Sequence, residues 1–462
     1  MNIVFVAPEC YPYTLASALS YFVCGLSKGV EKEGNNVKVI IPRYGSIDPA
    51  HYLIERLPTE CKFNYEGKQT TAVTYKGILP DSLVSVFLID NQNYFSNSKI
   101  VYLNSNEDCK RFNYFCNGSL SVLNSLKVKP DIIHFIHPYT VSCVQLIKES
   151  FEYRKYQDTK FAFSFLSGEH LLNNFTESLR DLIVSASFVT TLSQSHAEEI
   201  LSDSKYALIK ELLLGKKDNF QGILCGIDNF TYNSETDSEI TQNFSKAYFS
   251  IGKRKCKESL LRGLDLFDDV SLPLFTLLPN VKSKLEGDIL IEILTKCLNF
   301  NLQIVVLCEK EYYLNSKLTE ISKQFGNLKI VNDFSMKKRI FSGSDFLVCL
   351  DRSDPSIIPL QIAMKYGAVP IALQSSAARE IIIDNSTDNN SNGFLIEKLN
   401  KDLVLTAIQR AIKLYKDREK WPAIVKNVMG LDSSITSCAK KYIDLYETAL
   451  KDKIKLSTTT KG

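Results

Sequence analysis

Short apolar runs alternate with amphipathic stretches along most of the chain, and this alternation constrains the fold more than any other feature of the sequence. The runs at 37–41, 132–135 and 346–350 consist mainly of Val, Ile, Leu and Phe. Such runs are typical of strands buried on both faces of a parallel sheet. The stretches between them repeat apolar residues with a helical period, for example between Leu19 and Val30. The sequence therefore predicts an α/β fold with parallel sheets.

The alternation pauses between residues 229 and 271, where the chain is polar and shows no strand pattern. A chain of 462 residues is also long enough for two domains of ordinary size. We therefore expect a domain junction in this stretch. Two Rossmann-like parallel-sheet domains that face each other across a cleft would account for this layout.

Charge and cysteine usage exclude several classes of protein. The chain has 55 Lys and Arg against 52 Asp and Glu, a near balance that argues against binding of nucleic acid. No apolar run is long enough to span a membrane, and the first residues lack the basic region of a signal peptide. The 12 Cys show no CxxC or other ligand spacing, so we expect reduced thiols in a cytoplasmic protein, with no metal and no cofactor.

Several motifs occur in an order and at spacings known from one family. Phe-Val-Ala-Pro-Glu-Cys-Tyr-Pro-Tyr stands at 5–13, and Asn-Val-Lys-Val-Ile-Ile-Pro-Arg-Tyr-Gly follows at 36–45. Further matching segments lie at 131–134, 188–193, 222–228, 363–371 and 392–394. In these motifs the chain resembles bacterial glycogen synthases and plant starch synthases, which are glycosyltransferases with a GT-B fold (family 5).

The resemblance implies an activity and a role for each domain. Members of the family transfer glucose from ADP-glucose to the non-reducing end of an α-1,4-glucan, retain the anomeric configuration and need no metal. By this resemblance, residues 1–230 form the acceptor-side domain and residues 231–435 form the domain that binds the nucleotide sugar. Residues 436–452 form a final helix that crosses back to the first domain. The expected ligands are ADP-glucose and an α-glucan.

The first donor-binding motif of the family is altered in this chain. The family reads Lys-Thr-Gly-Gly-Leu-Gly-Asp where this chain reads Leu-Ala-Ser-Ala-Leu-Ser-Tyr at 15–21. Glycines let backbone N–H groups approach a phosphate at a helix N-terminus, and the Lys adds positive charge. Here Leu15 removes the charge, Tyr21 replaces the Asp, and Ser17 becomes the donor-binding equivalent of a Gly.

A second altered motif follows the apolar run at 132–135. The family's His-Asp-Trp-His becomes Ile-His-Pro-Tyr at 136–139, so that Tyr139 stands where the family has a His beside the transferred sugar. A Tyr hydroxyl can donate a hydrogen bond, but the side chain is larger than that of His. For His134 and His137 we expect a strand-end pair whose ring nitrogens are satisfied by nearby backbone.

Three motifs are altered in the C-terminal half. Leu277 replaces an Arg that meets the donor phosphates in the family, whereas Lys282 is retained; a surface Lys beside a Pro turn is its other interpretation. Asp354 replaces the Glu that faces the donor sugar, although an Asp before Pro is also a common start of a helix. Ser-Ser-Ala-Ala replaces Thr-Gly-Gly-Leu at 375–378, which leaves Ser375 and Ser376 as donor-side equivalents.

These changes remove glycine and positive charge together, while the apolar pattern of the core remains. We therefore interpret the chain as a catalytically impaired protein of the glycogen/starch synthase type. In this interpretation it is a pseudoenzyme that binds a glucan or a partner protein, such as an active synthase. The alternative is an active retaining glycosyltransferase with altered donor or acceptor specificity. In that case Tyr139 and Asp354 are its catalytic residues, and Ser17, Lys282, Ser375 and Ser376 bind its donor. A GT-B enzyme of another family, such as a group 1-type transferase, is a third interpretation.

Overall fold

Two compact units make up the chain. A computed structural model describes residues 1–103, 106–167, 177–216, 219–279, 281, 283–310, 312–350, 357–384 and 390–459, with side chains described to residue 451. The first unit consists of Met1–Asp228 together with Ser434–Gly462, and the second consists of Asn229–Ser433. The chain therefore leaves the first unit once and returns to it for its last helix.

The first unit is built on a sheet of ten strands among the residues described. They are β1 Asn2–Val6, β2 Asn36–Pro42, β3 Glu55–Arg56, β4 Cys61–Tyr65, β5 Lys68–Ile78, β6 Ser85–Asp90, β7 Ile132–Ile136, β8 Lys160–Ser164, β9 Phe188–Thr191 and β10 Phe220–Gly222. The spatial order is β10-β9-β8-β7-β1-β2-β6-β5-β3, and β4 pairs with β5. Pairing is parallel from β10 to β6 and antiparallel from β6 to β3.

Helices cover this sheet because its central strands are apolar on both faces. They are α1 Ala18–Lys32, α2 Asn106–Ser125, α3 Ser142–Glu149, α4 Glu177–Ser185, α5 Gln194–Ser202, α6 Ala207–Leu214 and the C-terminal helix Ile435–Thr459. Every residue of β7 is buried, as are all but the first of β1.

The strand order reverses direction between β1 and β7. From β1 the chain moves to β2 and β6 on one side, and it later returns to β7 on the other side. Ligands of open parallel sheets bind outside the carboxyl ends of the strands at such a switch point. The segments that follow β1 and β7 are therefore the places in this unit to look for a site.

The second unit is a wholly parallel sheet. Its strands are β11 Leu274–Leu278, β12 Gln303–Leu307, β13 Leu328–Val331, β14 Phe346–Cys349, β15 Val369–Leu373 and β16 Phe394–Ile396, in the order β13-β12-β11-β14-β15-β16. Its helices are α7 Phe249–Gly263, α8 Lys284–Cys297, α9 Asn315–Ser322, α10 Lys337–Gly343, α11 Ile358–Lys365, α12 Ser376–Ile381, α13 Lys401–Tyr415 and α14 Lys420–Met429. The predicted α/β class with two parallel sheets is confirmed.

The C-terminal helix packs closely on α1. A Cβ atom added to Gly29 would lie 2.8 Å from Cβ of Ala439, and one added to Gly25 would lie 3.1 Å from Cδ1 of Ile435. The backbone N–H of Ile435 also donates to the carbonyl of Ile227 at 2.8 Å. Glycine at these two positions therefore lets the helix backbones approach one another.

His134 connects the C-terminal helix to the centre of the sheet. Its Nδ1 lies 2.7 Å from the Tyr446 hydroxyl, and its Nε2 lies 2.7 Å from Oγ of Ser164. The expectation that nearby backbone satisfies this ring is therefore wrong, because two side-chain hydroxyls do so. Burial lowers the pKa of His134 to about 3, so the imidazole is neutral in the folded protein at neutral pH.

We expect the pH dependence of stability to reveal this buried imidazole. The folded pKa of about 3 lies below the ordinary value of 6.5, so its contribution is complete above pH 6.5 and is lost as the pH falls towards 3. The loss for one such group is about 1.4 kcal/mol per pH unit. Urea unfolding of the first unit at pH 7, 6 and 5 should show a shallower pH dependence in His134→Gln than in the wild type.

The readout and the control follow from the positions of two residues. The single Trp of the chain, Trp421, belongs to the second unit, so unfolding of the first unit is best followed by pulse proteolysis. His51 is exposed, and His51→Gln should keep the wild-type slope. Equal slopes for His134→Gln and the wild type would contradict the assignment.

Candidate functional site

A buried carboxylate lies just beyond the end of β1. Oε2 of Glu9 accepts hydrogen bonds from the backbone N–H groups of Ala16 and Ser17, both at 3.0 Å. Oε1 accepts from the Ser17 hydroxyl at 2.5 Å and from the Tyr102 hydroxyl at 2.8 Å. A carboxylate has about four acceptor positions, so these four donors saturate it.

Two further N–H groups, those of Leu19 and Ser20 in the first turn of α1, also have internal partners. Ser17 is the N-cap, and its Oγ accepts from the N–H of Leu19 at 3.1 Å. The N–H of Ser20 donates to the Ser17 carbonyl at 3.3 Å. The N–H groups of 16, 17, 19 and 20 are thus all donated within the chain. At a helix N-terminus, such groups are the ones that would otherwise bind an anion.

The Glu9 carboxylate supplies a negative charge next to the N-terminus of α1. Burial raises the pKa of Glu9, while the hydrogen bonds from Ser17 and Tyr102 oppose that shift. The carboxylate lies at the positive end of the α1 dipole, where an anionic group is stabilised. Glu9 therefore stands where an external anion would be most stable.

The exposed part of the loop is apolar and aromatic. Half of the surface of Leu15 is exposed. The ring of Tyr21 stacks on that of Tyr11, with centroids 5.0 Å apart and an interplanar angle of 25°. Neither Leu15 nor Tyr21 brings a positive charge to the loop.

Tyr139 lies on a single 3₁₀ turn, Pro138–Thr140, directly after β7. Its ring stacks on Phe112 with centroids 4.3 Å apart, and its hydroxyl donates to Asp108 at 3.4 Å. Burial, followed by the nearby charge of Asp108, raises the pKa of Tyr139 to about 12. Tyr139 is therefore a neutral hydroxyl that is packed and oriented by its neighbours.

His137 has a positive φ of 79° and belongs to the same turn. Its Nδ1 accepts from the backbone N–H of Tyr139 at 3.2 Å, so this ring does have the expected backbone partner. Its ring also stacks on Tyr102, with centroids 5.5 Å apart. Tyr102 contacts Glu9, His137 and Tyr139, and thereby joins the segment after β1 to the segment after β7.

Sequence reasoning missed the residues that hold Tyr102 in place. Arg111 forms a buried ion pair with Asp108 at 2.8 Å and donates to the carbonyls of Ile100 and Val101. The Asp108 carboxylate also accepts from the N–H of Leu103 at 2.9 Å. The sequence does contain an Asp and an Arg three positions apart, which can form an ion pair on a helix. This spacing is common on exposed helix surfaces, so it does not predict a buried pair.

In the second unit, the described site positions have structural partners. Leu277 is buried within β11 among apolar side chains. Ser375 is the N-cap of α12, and its Oγ accepts from the N–H of Ala378 at 3.1 Å; Ser376 is the first residue of that helix. Lys282 and Asp354 lie outside the described residues.

The described part of the chain holds no group of three or more His, Cys, Asp and Glu residues that could bind a metal ion. A search of the same residues finds no helix that is long and apolar enough to cross a membrane.

Comparison with known proteins identifies the family. Residues 2–213 match the family of starch synthase catalytic domains. Glycogen synthases of Geotalea daltonii and Clostridium botulinum are each 26% identical to the chain. The Geotalea alignment covers 98% of this chain and 100% of the relative, and the Clostridium alignment covers 97% and 99%. The chain belongs to the glycogen and starch synthase family.

The structural comparison agrees with this assignment at the level of the fold. The catalytic domain of starch synthase IV from Arabidopsis thaliana, solved with ADP and acarbose bound, matches with a TM-score of 0.85 at 23% identity. The match covers 97% of this chain and 99% of that one. The GT-B fold expected for a glycogen or starch synthase is confirmed. The loop at 15–21, which the resemblance assigns to the donor, is the segment whose N–H groups at Ala16 and Ser17 donate to Glu9.

We expect removal of the Glu9 carboxylate to open this loop. In Glu9→Ala, the N–H groups of Ala16 and Ser17 lose their acceptor, so their hydrogen exchange should accelerate by at least about tenfold, equivalent to one lost hydrogen bond of about 1.4 kcal/mol. Hydrogen exchange of a peptide that covers residues 14–20 measures this change. Tyr102→Phe is the matched control, because it removes one donor to Glu9 and leaves both N–H bonds. Unchanged protection in Glu9→Ala would show that the carboxylate does not hold the loop.

Proposed function

We propose that this member of the glycogen and starch synthase family no longer transfers glucose from a nucleotide sugar and acts as a glucan-binding pseudoenzyme. The observation that carries the proposal is that the loop at 15–21 has neither the Lys nor the glycines of the family pattern, while Ser17 caps α1 with its own hydroxyl. By family resemblance, this loop meets the donor phosphates. A phosphate at this loop would meet the side chains of Ser17 and Ala18 where the family has glycine, and no positive charge at Leu15.

The loss of positive charge supports the same conclusion. A hydrogen bond to a charged group contributes about 1.5–3 kcal/mol. Leu15 and Leu277 replace a Lys and an Arg of the family pattern, so two such contacts are absent. Together they weaken binding of the donor by about 3–6 kcal/mol, or about two to four powers of ten in affinity.

Binding of a glucan needs none of these charges. Oligosaccharides are held by hydrogen bonds to their hydroxyls and by contacts of the sugar faces with apolar and aromatic side chains. Starch synthase IV of Arabidopsis thaliana was solved with acarbose as well as ADP, and that domain has the same fold. The acceptor-side role of residues 1–230 is therefore retained in our proposal. An active synthase in the same cytoplasm is the proposed protein partner.

The candidate site residues have reduced roles in this proposal. Tyr139 and Asp354 are the degenerate equivalents of catalytic positions. Ser17, Ser375, Ser376 and Lys282 are degenerate equivalents of donor-binding positions. For Ser17 and Ser375, N-cap hydrogen bonds support this assignment, since both hydroxyls already accept from helix N–H groups.

A transfer assay tests the proposal directly. Purified protein incubated with radiolabelled ADP-glucose and glycogen should incorporate no label above a blank without protein, while a glycogen synthase run in parallel incorporates it. Co-sedimentation with glycogen should nevertheless retain the protein. Incorporation that increases with the amount of protein would overturn the proposal. A thermal-shift screen of nucleotide sugars would then identify the donor of the alternative, an active transferase of changed specificity.

Returning a positive charge to the loop tests whether its loss weakens binding of the donor. Leu15 is half exposed, so Leu15→Lys places an ammonium group at the family position without burying it. We expect ADP to bind about 10- to 150-fold more tightly, which corresponds to one charge-assisted contact of about 1.5–3 kcal/mol. Leu15→Met is the matched control and should leave the affinity unchanged. Calorimetric titration with ADP measures both; equal affinities in the two variants would contradict the argument from charge.

A further inference from the structure

The fold brings two cysteines together at the base of the donor loop. Cys10 follows β1, and Cys24 lies in α1. The N–H of Tyr11 donates to the Ser20 carbonyl at 3.1 Å, and the ring of Tyr11 stacks on Tyr21. Because Cys24 lies one helical turn after Ser20 on the same face, the segment at 10–11 reaches the Cys24 side chain. The Cys10 thiol donates to the Tyr11 carbonyl at 3.4 Å, and the Cys10 and Cys24 thiols are near enough to shift each other's pKa.

The two thiols differ in exposure and in charge. Cys10 is fully buried, whereas Cys24 is half-buried. The neighbouring Cys10 thiol and the charge of Lys28 lower the pKa of Cys24, whereas burial and the charge of Asp228 oppose that shift. Burial raises the pKa of Cys10. Cys24 is therefore the thiol of the pair with the lowered pKa and the partly exposed side chain, which are the properties of a reactive cysteine.

Lys28 is held beside Cys24 by a second group. It lies one turn further along α1, and its Nζ is 3.1 Å from the Asp228 carboxylate. Lys32 also approaches Asp228, at 3.9 Å, but its side chain is 43% exposed against 7% for that of Lys28. The buried ammonium group is thus fixed near Cys24, and the exposed one provides a matched comparison.

We propose that Cys10 and Cys24 form a redox modification site, in which a hydroperoxide converts the dithiol into a disulfide that ties the start of α1 to the end of β1. The Cys24 thiolate attacks the hydroperoxide, the O–O bond breaks, and the alcohol or water leaves with a proton. The resulting sulfenic acid is attacked by the Cys10 sulfur, which gives up its proton. The S–S bond forms, the S–O bond breaks and water leaves. The two sulfurs supply the two electrons, and an external dithiol reverses the reaction.

The consequence is a covalent constraint on the segment between the two cysteines. That segment contains the loop at 15–21 together with the N–H groups that Glu9 holds. Oxidation therefore ties the closed form of the loop to the sheet. This inference does not depend on the proposed function, since the reaction involves only these two side chains and an oxidant.

Peptide mapping of the full chain tests the proposal. Reduced protein is treated with an equimolar amount of hydrogen peroxide, quenched with N-ethylmaleimide and digested without reduction. We expect a peptide pair linked through Cys10 and Cys24 to be the first product, reversed by dithiothreitol. Cys109 is exposed, and Cys116 and Cys143 are a buried pair, so these serve as internal controls. Oxidation of any of them ahead of Cys24 would overturn the proposal.

Variants separate the roles of the two sulfurs. Cys10→Ser should leave a Cys24 sulfenic acid that dimedone traps, and Cys24→Ser should abolish the reaction. Lys28→Gln should slow alkylation of Cys24 by iodoacetamide at pH 7 by about tenfold, whereas Lys32→Gln should leave the rate unchanged. The pH dependence of the alkylation rate in the wild type also measures the pKa of Cys24, without any variant. An alkylation rate at Cys24 no higher than that at Cys109 at pH 7 would also overturn the proposal.

Discussion

The carboxylate of Glu9 determines the conformation of the segment that follows β1. Burial of an ionised carboxylate is costly unless hydrogen bonds satisfy it, and here four donors from Ala16, Ser17 and Tyr102 do so. The same bonds use the N–H groups of Ala16 and of the N-cap Ser17, directly before α1. One interaction therefore closes the loop, caps the approach to the helix and supplies the negative charge that its dipole favours.

Buried cations of this protein likewise have internal partners. In the first unit, Arg111 binds Asp108 and three carbonyls, and so fixes the segment that carries Tyr102. In the second, Lys253 donates to the carbonyls of Ser342, Ser344 and Tyr366, and Lys257 pairs with Asp345 at 2.5 Å. These charges hold elements of the core together. Some of the Lys and Arg residues counted in the near balance of charge are therefore buried and bound to groups of the protein itself.

The patterns of the sequence predicted the fold class and the family correctly because both depend on features that are local in the chain. The apolar runs predicted the parallel strands, and short motifs in a fixed order indicated the family. The partners of individual polar groups were harder to predict. For His134 we expected backbone, whereas the structure supplies Tyr446, which lies 312 positions away in the chain. The contact of Glu9 with Tyr102 was missed for the same reason, since Tyr102 is 93 positions away.

The sequence by itself determined that the chain alternates strands and helices and that the loop at 15–21 has neither the Lys nor the diglycine of its family. Only the tertiary structure decided which acceptors the N–H groups of this loop have, because the direction of an N–H group depends on the fold around it. It also decided which of the 12 Cys meet: Cys10 and Cys24 are neighbours because the end of β1 packs along the first turns of α1. Hydrogen bonds and thiol pairs need atoms to lie within a few ångströms, and that proximity is a property of the packed units.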